Sequence, residues 1–401
     1  MYIHRTLERD FLKTSEHFKI ILVTGMRQIG KTTFLKHVAE PGRKYVTLDN
    51  PKDLLLARED PALFLQRYAP PVLIDEIQYA PELFPYLKMA VDGSEQRGQF
   101  WLTGSQSFLL MKGITESLAG RIAILEMGGF SLYELQGKAE HQMPFFPSED
   151  RKSILQKMSV DALFKVIWGG SFPDIARHSA WLKFYNAYTQ TYLERDVRQL
   201  EKIGNTLSFL KFLKAAAART SQELNLAELA RDADVAPNTA KVWLSILEAS
   251  QVIFLLRPFY KNVSKRLIKA PKLYFTDTGL CSYLTEWTSP ETLATGAFAG
   301  PIFETFVVNE IRKSFLHNGI EPQLYFYRDQ SKQEIDLIIS HNSKLYPVEI
   351  KKTANPLKDD VKSFATFRSL GLDVGYGNLI CLTDAMRPLT STAAALPLWE
   401  I

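Results

Sequence analysis

One stretch near the start of the sequence constrains the fold more than any other. Lys19 to Thr24 reads KIILVT, an apolar strand, and runs without a break into GMRQIGKTT and then into the helix-forming FLKHVAE. Strand, glycine-containing loop and helix in that order call for a layered α/β arrangement in which the helix packs back onto parallel strands. The loop fits the spacing Gly25-x-x-x-x-Gly30-Lys31-Thr32 of a phosphate-binding turn. Glycines let successive backbone N–H groups from Gly25 through Met26, Arg27, Gln28, Ile29 and Gly30 curl around phosphate oxygens, and the helix that follows adds its positive end. Lys31 is expected to reach the β- and γ-phosphates of ATP. The Thr32 hydroxyl would ligate Mg²⁺, with Thr33 completing the cradle. The plainer alternative is a Gly-rich turn that merely joins strand to helix.

Further polar residues are expected at the ends of neighbouring strands. Pro71 to Glu76 (PVLIDE) reads as a buried strand ending in two acids. Beside a phosphate loop, Asp75 would hold Mg²⁺ through water and Glu76 would orient and deprotonate the attacking water, unless the pair only caps the next helix. Gln99 to Thr103 is another strand, followed by Gly104-Ser105-Gln106-Ser107. Ser105 could contact the γ-phosphate, or Ser105 or Ser107 could cap a helix. Arg121 precedes the apolar IAILEM and is a candidate arginine finger, in cis or from a neighbouring subunit, with a surface salt bridge as the alternative.

Taken together, TGMRQIGKTT, VLIDEIQ, WLTGSQSFLL and SLAGRIAILEMGGFSLYEL resemble the prokaryotic AAA-type ATPases that carry a C-terminal domain of unknown function similar to restriction endonucleases. WGGSFPD (Trp168 to Asp174), TYLERDV (Thr191 to Val197) and PKLYFTDTGL (Pro271 to Leu280) extend the resemblance over nearly the whole chain. It implies nucleotide chemistry more firmly than a biological role.

At 401 residues with 46% hydrophobic side chains, the chain has material for two to four domains. The expected division of this α/β protein is a P-loop AAA-type core at 1–135, a helical lid region at 136–204, a winged helix at 205–262 and a restriction-endonuclease-like α/β domain at 263–401. The polar GKAEHQMPFFPSEDRK after Gln136 reads as a linker or flexible insertion. Cys281 and Cys381 are too few for a disulfide framework and suggest buried thiols in a reducing compartment. No apolar run reaches about 18 residues, so the expected location is cytoplasmic, with no membrane partner. The net charge of +4 identifies no partner by itself.

Local clustering says more. SFLKFLKAAAAR, LNLAELARDADV and PNTAKVWLSILEAS followed by QVIFLLRPF read as helix, helix, turn, helix and strand, a winged-helix order with Pro237 opening the recognition helix and Asn238, Thr239 and Lys241 facing outward. Such a module could equally serve packing or dimerisation. Arg257, Lys261, Lys265, Arg266, Lys269 and Lys272 form a run without one acid, with Phe259, Tyr260 and Tyr274 nearby. This suits a nucleic-acid backbone, DNA being the expected partner, or a solvated face.

In the last domain twelve residues separate Asp336 from Glu349-x-Lys351, the D…E-x-K pattern of restriction-endonuclease-like nucleases. Period-two alternation would bring Glu349 and Lys351 to one face, and a hairpin partner could set Asp336 beside them. Asp336 and Glu349 would then hold Mg²⁺ while Lys351 stabilises charge on an attacked phosphate, with Glu304 as a further ligand. An ordinary hairpin with solvent-facing charges is the alternative. Two functions follow: an Mg²⁺-dependent ATPase acting on nucleic acid with a nuclease site, or a nucleotide-switched adaptor that binds DNA or a partner without cutting. A homo-oligomer fits either.

Overall fold

Residues 2–104, 114, 116–151, 154–177, 180–193, 206–260, 266, 269–329, 331 and 333–401 are described by a computed structural model. Ile20–Thr24 forms β1, buried along its whole length. Ile21 and Val23 feed one core with Leu35, Leu73 and Trp101, whereas Ile20 and Leu22 feed another with Val72, Ile74, Phe100 and Leu102. That is what period-two alternation demands of a strand covered on both faces. With β2 (Lys44–Thr47), β3 (Val72–Asp75), β4 (Phe100–Gly104) and β5 (Ile122–Glu126) it forms a sheet in the order β2-β3-β4-β1-β5. All neighbours are parallel.

Helices α1 (Leu7–His17) and α2 (Lys31–Val38) cover one face, with the Phe11 ring 5.3 Å from Phe34 and 4.7 Å from Trp101. On the other face α3 (Pro51–Glu59), α4 (Pro61–Arg67) and α5 (Leu83–Asp92) bury Ala57, Phe64, Phe84 and Leu87. Each large apolar side chain removed from water there contributes about 1.5–3 kcal/mol. Because the sheet is parallel, the C-terminal ends of its strands share one edge. The loop after β1, Thr103 near the end of β4 and Asp75 at the end of β3 therefore meet there.

The stretch after α6 (Leu132–Leu135) is a packed strap rather than the expected flexible linker. Gln142 is buried and accepts from the Thr6 and Ser131 hydroxyls. Phe145 is buried and donates its N–H to Ser314. Phe146 packs on Phe315. Two aromatic rings in a polar run carry enough apolar area to hold the segment down.

Helices α7 (Val160–Gly169), α8 (Pro173–Arg177) and α9 (Trp181–Tyr188) follow. Asp277 ties this region to the later chain, accepting from the Ser171 N–H and hydroxyl, the Tyr185 hydroxyl and the Leu280 N–H. Next come α10 (Thr206–Ala217), β6 (Gln222–Glu223), α11 (Leu226–Asp232), α12 (Pro237–Ala249), β7 (Ile253–Pro258) and β8 (Lys272–Phe275). Trp243 packs between Phe209 and Phe212 at their centre.

Strand β8 pairs antiparallel with both β6 and β7, so residues expected in the C-terminal domain close the middle module's sheet. Strand β7 also pairs in parallel with β9 (Leu324–Arg328). The middle and C-terminal modules thus share one nine-stranded sheet, β13-β14-β12-β11-β10-β9-β7-β8-β6. Its remaining strands are β10 (Glu334–His341), β11 (Lys344–Ile350), β12 (Gly377–Cys381), β13 (Arg387–Thr390) and β14 (Ala393–Pro397). Helices α13 (Thr278–Leu284), α14 (Pro290–Thr295), α15 (Ala299–Leu316) and α16 (Lys362–Arg368) complete the fold.

Helix α15 docks on the first sheet's module through polar contacts. Glu310 accepts the Leu132 N–H, Lys313 donates to the Phe130 carbonyl, and Arg312 pairs with Glu126 at 2.6 Å. Cys281 and Cys381 are buried free thiols, as expected. Among the described residues no helix is long and apolar enough to cross a membrane.

Candidate nucleotide and cation sites

The phosphate loop takes the conformation its glycines permit. A Cβ on Gly25 would lie 2.4 Å from the Met127 carbonyl oxygen, and Gly30 sits at φ +90°, where side chains are rarely tolerated. Gly30 leads directly into α2, whose first N–H groups lack intrahelical acceptors and suit an anion. Lys31 is buried, its ammonium donating to the Gly25 and Met26 carbonyls at 2.9 and 2.7 Å. Thr32 Oγ1 donates to Asp75 Oδ1 at 2.7 Å. Asp75 also accepts from the Thr103 hydroxyl and, at 3.1 Å, from the Tyr45 hydroxyl. Burial and the Asp75 carboxylate push the Tyr45 pKa up to about 12.

Glu76 stands in the left-handed region at φ +60°, its N–H bonded to the Thr103 hydroxyl at 3.0 Å. A non-glycine residue in that region carries strain and is worth a functional question. A cleft of about 290 Å³ joins Gln28 to Phe34 with Glu76, Tyr2, Ile3, Arg5, Phe130, Pro173 and Asp174. Pro173 and Asp174 come from α8. Thr32 and Asp75 fit a hydrated Mg²⁺, because a hydroxyl and a carboxylate stand within hydrogen-bond distance beside the loop. Thr103 and Tyr45 were missed by sequence reasoning. The signal for Thr103 was its place as the polar end of an apolar strand.

One expected participant falls elsewhere. Arg121 immediately precedes β5, where Ile122 stands level with Ile20 at the start of β1, so it lies at the opposite edge of the sheet from the phosphate loop. There its guanidinium binds both oxygens of Asp92 at 2.6 and 3.0 Å. The chain's own nucleotide cleft is out of its reach. Ser105 lies outside the described residues.

The second site gathers four carboxylates. β10 and β11 are antiparallel with Leu337 opposite Val348, which sets Asp336 across from Glu349. Asp336 Oδ2 accepts the Ile350 N–H at 2.9 Å. Glu304, from α15, accepts from the Tyr274 hydroxyl at 2.6 Å. Lys272 lies at the middle, 2.6 Å from Glu334, 3.3 Å from Glu304 and 3.6 Å from Asp336. Burial and the Asp336 carboxylate push Glu304 up to about 7. Burial, then Asp336, pushes Glu349 well above the usual carboxylate range, and burial also raises Asp336. Glu349 Oε2 is buried without a hydrogen-bond partner. An orphaned acceptor among crowded acids suits a cation, but in this arrangement the ligand oxygens of Asp336, Glu349 and Glu304 do not converge on one point, and they would have to turn inward to hold a divalent ion together.

Lys351 does not join them. β11 ends at Ile350, and beyond it the Lys351 side chain is more than half exposed and pairs with Asp360. Lys272 stands where Lys351 was expected. It had been grouped with the basic run, and of that run Lys261 and Lys265 lie outside the described residues. Arg266 donates to the Tyr260 carbonyl at 2.6 Å and stacks over Phe259 and Tyr325. Phe259 and Tyr274 are buried, whereas Lys269 is exposed. On α12, Asn238 and Lys241 are exposed and Thr239 half-buried. A larger apolar cavity, about 840 Å³ between Trp168, Trp181, Tyr283 and Trp287, adjoins neither cluster.

Comparison with known proteins finds an AAA domain in the N-terminal part of the chain. The family model described as AAA domain matches residues 17–136, and models of two domains of unknown function, DUF8612 and DUF4143, match residues 160–291 and 299–401. The uncharacterized proteins Rv2008c of Mycobacterium tuberculosis and Mb2031c of Mycobacterium bovis are each 30% identical over 390 residues, spanning 95% of this chain and 80% of theirs. A solved structure of the Walker-type ATPase PABY2304 of Pyrococcus abyssi is 15% identical, covers 71% of this chain and 96% of its own, and superposes with a TM-score of 0.44. The chain belongs to the same family as Rv2008c and Mb2031c and carries a P-loop AAA-type ATPase domain.

Proposed function

We propose that this protein is an Mg²⁺-dependent ATPase that acts on nucleic acid, with a second Mg²⁺ site in its C-terminal module. The contact between Thr32 and Asp75 beside the phosphate loop carries the first half of the reading. Lys31 binds the β- and γ-phosphates, Thr32 and Asp75 hold the metal, and Glu76 takes the proton from the attacking water. Mg²⁺ supplies charge neutralisation on the phosphates when bound.

Nucleic acid is the favoured partner because helix α10, strand β6, helices α11 and α12 and the β7–β8 pair follow the order of a winged helix, with Asn238 and Lys241 exposed on α12. Glu304, Asp336 and Glu349 support a cation site of the kind that nucleases use. The displacement of Lys351 from that cluster favours cation-dependent binding over a complete D…E-x-K cleavage set.

Incubating purified protein with Mg²⁺, ATP and single-stranded, double-stranded and branched DNA tests the reading. Binding of at least one form, weakened in Asp336→Asn with ATP hydrolysis intact, is the expected result. Cleavage lost in that variant would extend the reading to a nuclease. No interaction with any form would leave an ATPase serving a protein partner.

A further inference from the structure

We propose that Lys272 is a built-in counter-ion of the carboxylate site, which a divalent cation must displace from Asp336 and Glu304 in order to bind. This rests on reading the cluster as a cation site. Lys272 is not a surface base: its side chain is 5% exposed, and it reaches acids supplied by two other elements, α15 and β10. One ammonium stands among Glu304, Glu334, Asp336 and Glu349. Its position is therefore the one in which a cation shared by Asp336 and Glu304 would meet the strongest like-charge repulsion.

The lysine also has somewhere to go. Glu334 is its nearest partner at 2.6 Å and, at 33% exposed, the more open of the acids it touches. A four-carbon flexible stem allows the ammonium to stay with Glu334 while Asp336, Glu304 and the unpartnered Glu349 Oε2 turn to the metal. With no metal bound, Lys272 holds the acids together. Its presence weakens cation affinity.

The test is calorimetric titration of Mn²⁺ into nucleotide-free, full-length protein, with melting curves run beside it. Even with water-like screening, repulsion between single and double charges about 6 Å apart corresponds to about a tenfold change in affinity. Lys272→Met should therefore bind Mn²⁺ about tenfold more tightly than wild type, Lys272→Arg should not, and Asp336→Asn should lose binding.

Equal or weaker binding by Lys272→Met, with wild type binding and Asp336→Asn not, would overturn the counter-ion role alone. Absence of Mn²⁺ binding or stabilisation in both wild type and Lys272→Met would overturn the cation site as well. Should Lys272→Met fail to fold, amine acylation of the wild-type protein read by peptide mass spectrometry decides. Saturating Mn²⁺ should raise labelling of Lys272 relative to Lys269, and unchanged labelling would refute displacement.

Discussion

Replacing Glu304 by Gln should change how stability depends on pH, and the size of the change follows from where Glu304 sits. Burial, then the Asp336 carboxylate, pushes its pKa up to about 7 from an ordinary 4.5. The folded chain therefore holds this proton more tightly than the unfolded chain does. The resulting stabilisation is complete below about pH 4.5 and is lost as pH rises through about 7. The interval between those values, at about 1.36 kcal/mol per pH unit, corresponds to about 3 kcal/mol.

Glutamine has no proton to lose at that position. Wild type should thus lose about 3 kcal/mol more than Glu304→Gln between pH 4.5 and 8, a difference of about 5–10 °C in melting temperature. Melting curves in EDTA at half-unit pH steps measure it. Saturating Mg²⁺ should flatten the wild-type curve, since a metal holds the carboxylates ionised. Parallel curves for the two proteins in EDTA would refute the account of a crowded, proton-holding cluster.

Thr103→Val keeps the side-chain shape but removes the oxygen that accepts the Glu76 N–H and donates to Asp75. It should destabilise the ATPase domain by about 1–3 kcal/mol and slow hydrolysis more than it weakens ATP binding; unchanged melting and turnover would contradict this. Arg121→Gln should leave turnover near wild type, because Arg121 pairs with Asp92 at the far edge of the sheet. A large loss of turnover, rescued by mixing with Glu76→Gln protein, would instead place Arg121 at a neighbouring subunit's nucleotide.

The phosphate loop and the acid-ended strand were legible because their chemistry is local: a short run of residues fixes both the backbone path and the ligand atoms. Asp336 opposite Glu349 was legible for a similar reason, since hairpin register alone sets one across from the other. Lys351 misled because alternation holds only while the strand continues, and β11 stops one residue before it. Lys272 was hidden by its neighbourhood. A lysine among other bases reads as surface charge, and only the pairing of β8 into the shared sheet brings it against acids more than 30 residues away. The strap after α6 was misread because its polar residues outnumber Phe145 and Phe146, although those two rings decide its burial.

ATP turnover by Glu76→Gln beside wild type and Lys31→Ala addresses the central claim most directly. Wild type should hydrolyse ATP only with Mg²⁺, and Lys31→Ala should neither bind nor hydrolyse it. Glu76→Gln should bind ATP like wild type yet turn over about 10²-fold or more slowly, as loss of a general base requires. Wild-type turnover in Glu76→Gln, or ATP binding undiminished in Lys31→Ala, would contradict the assignment of this edge of the sheet as the site of hydrolysis.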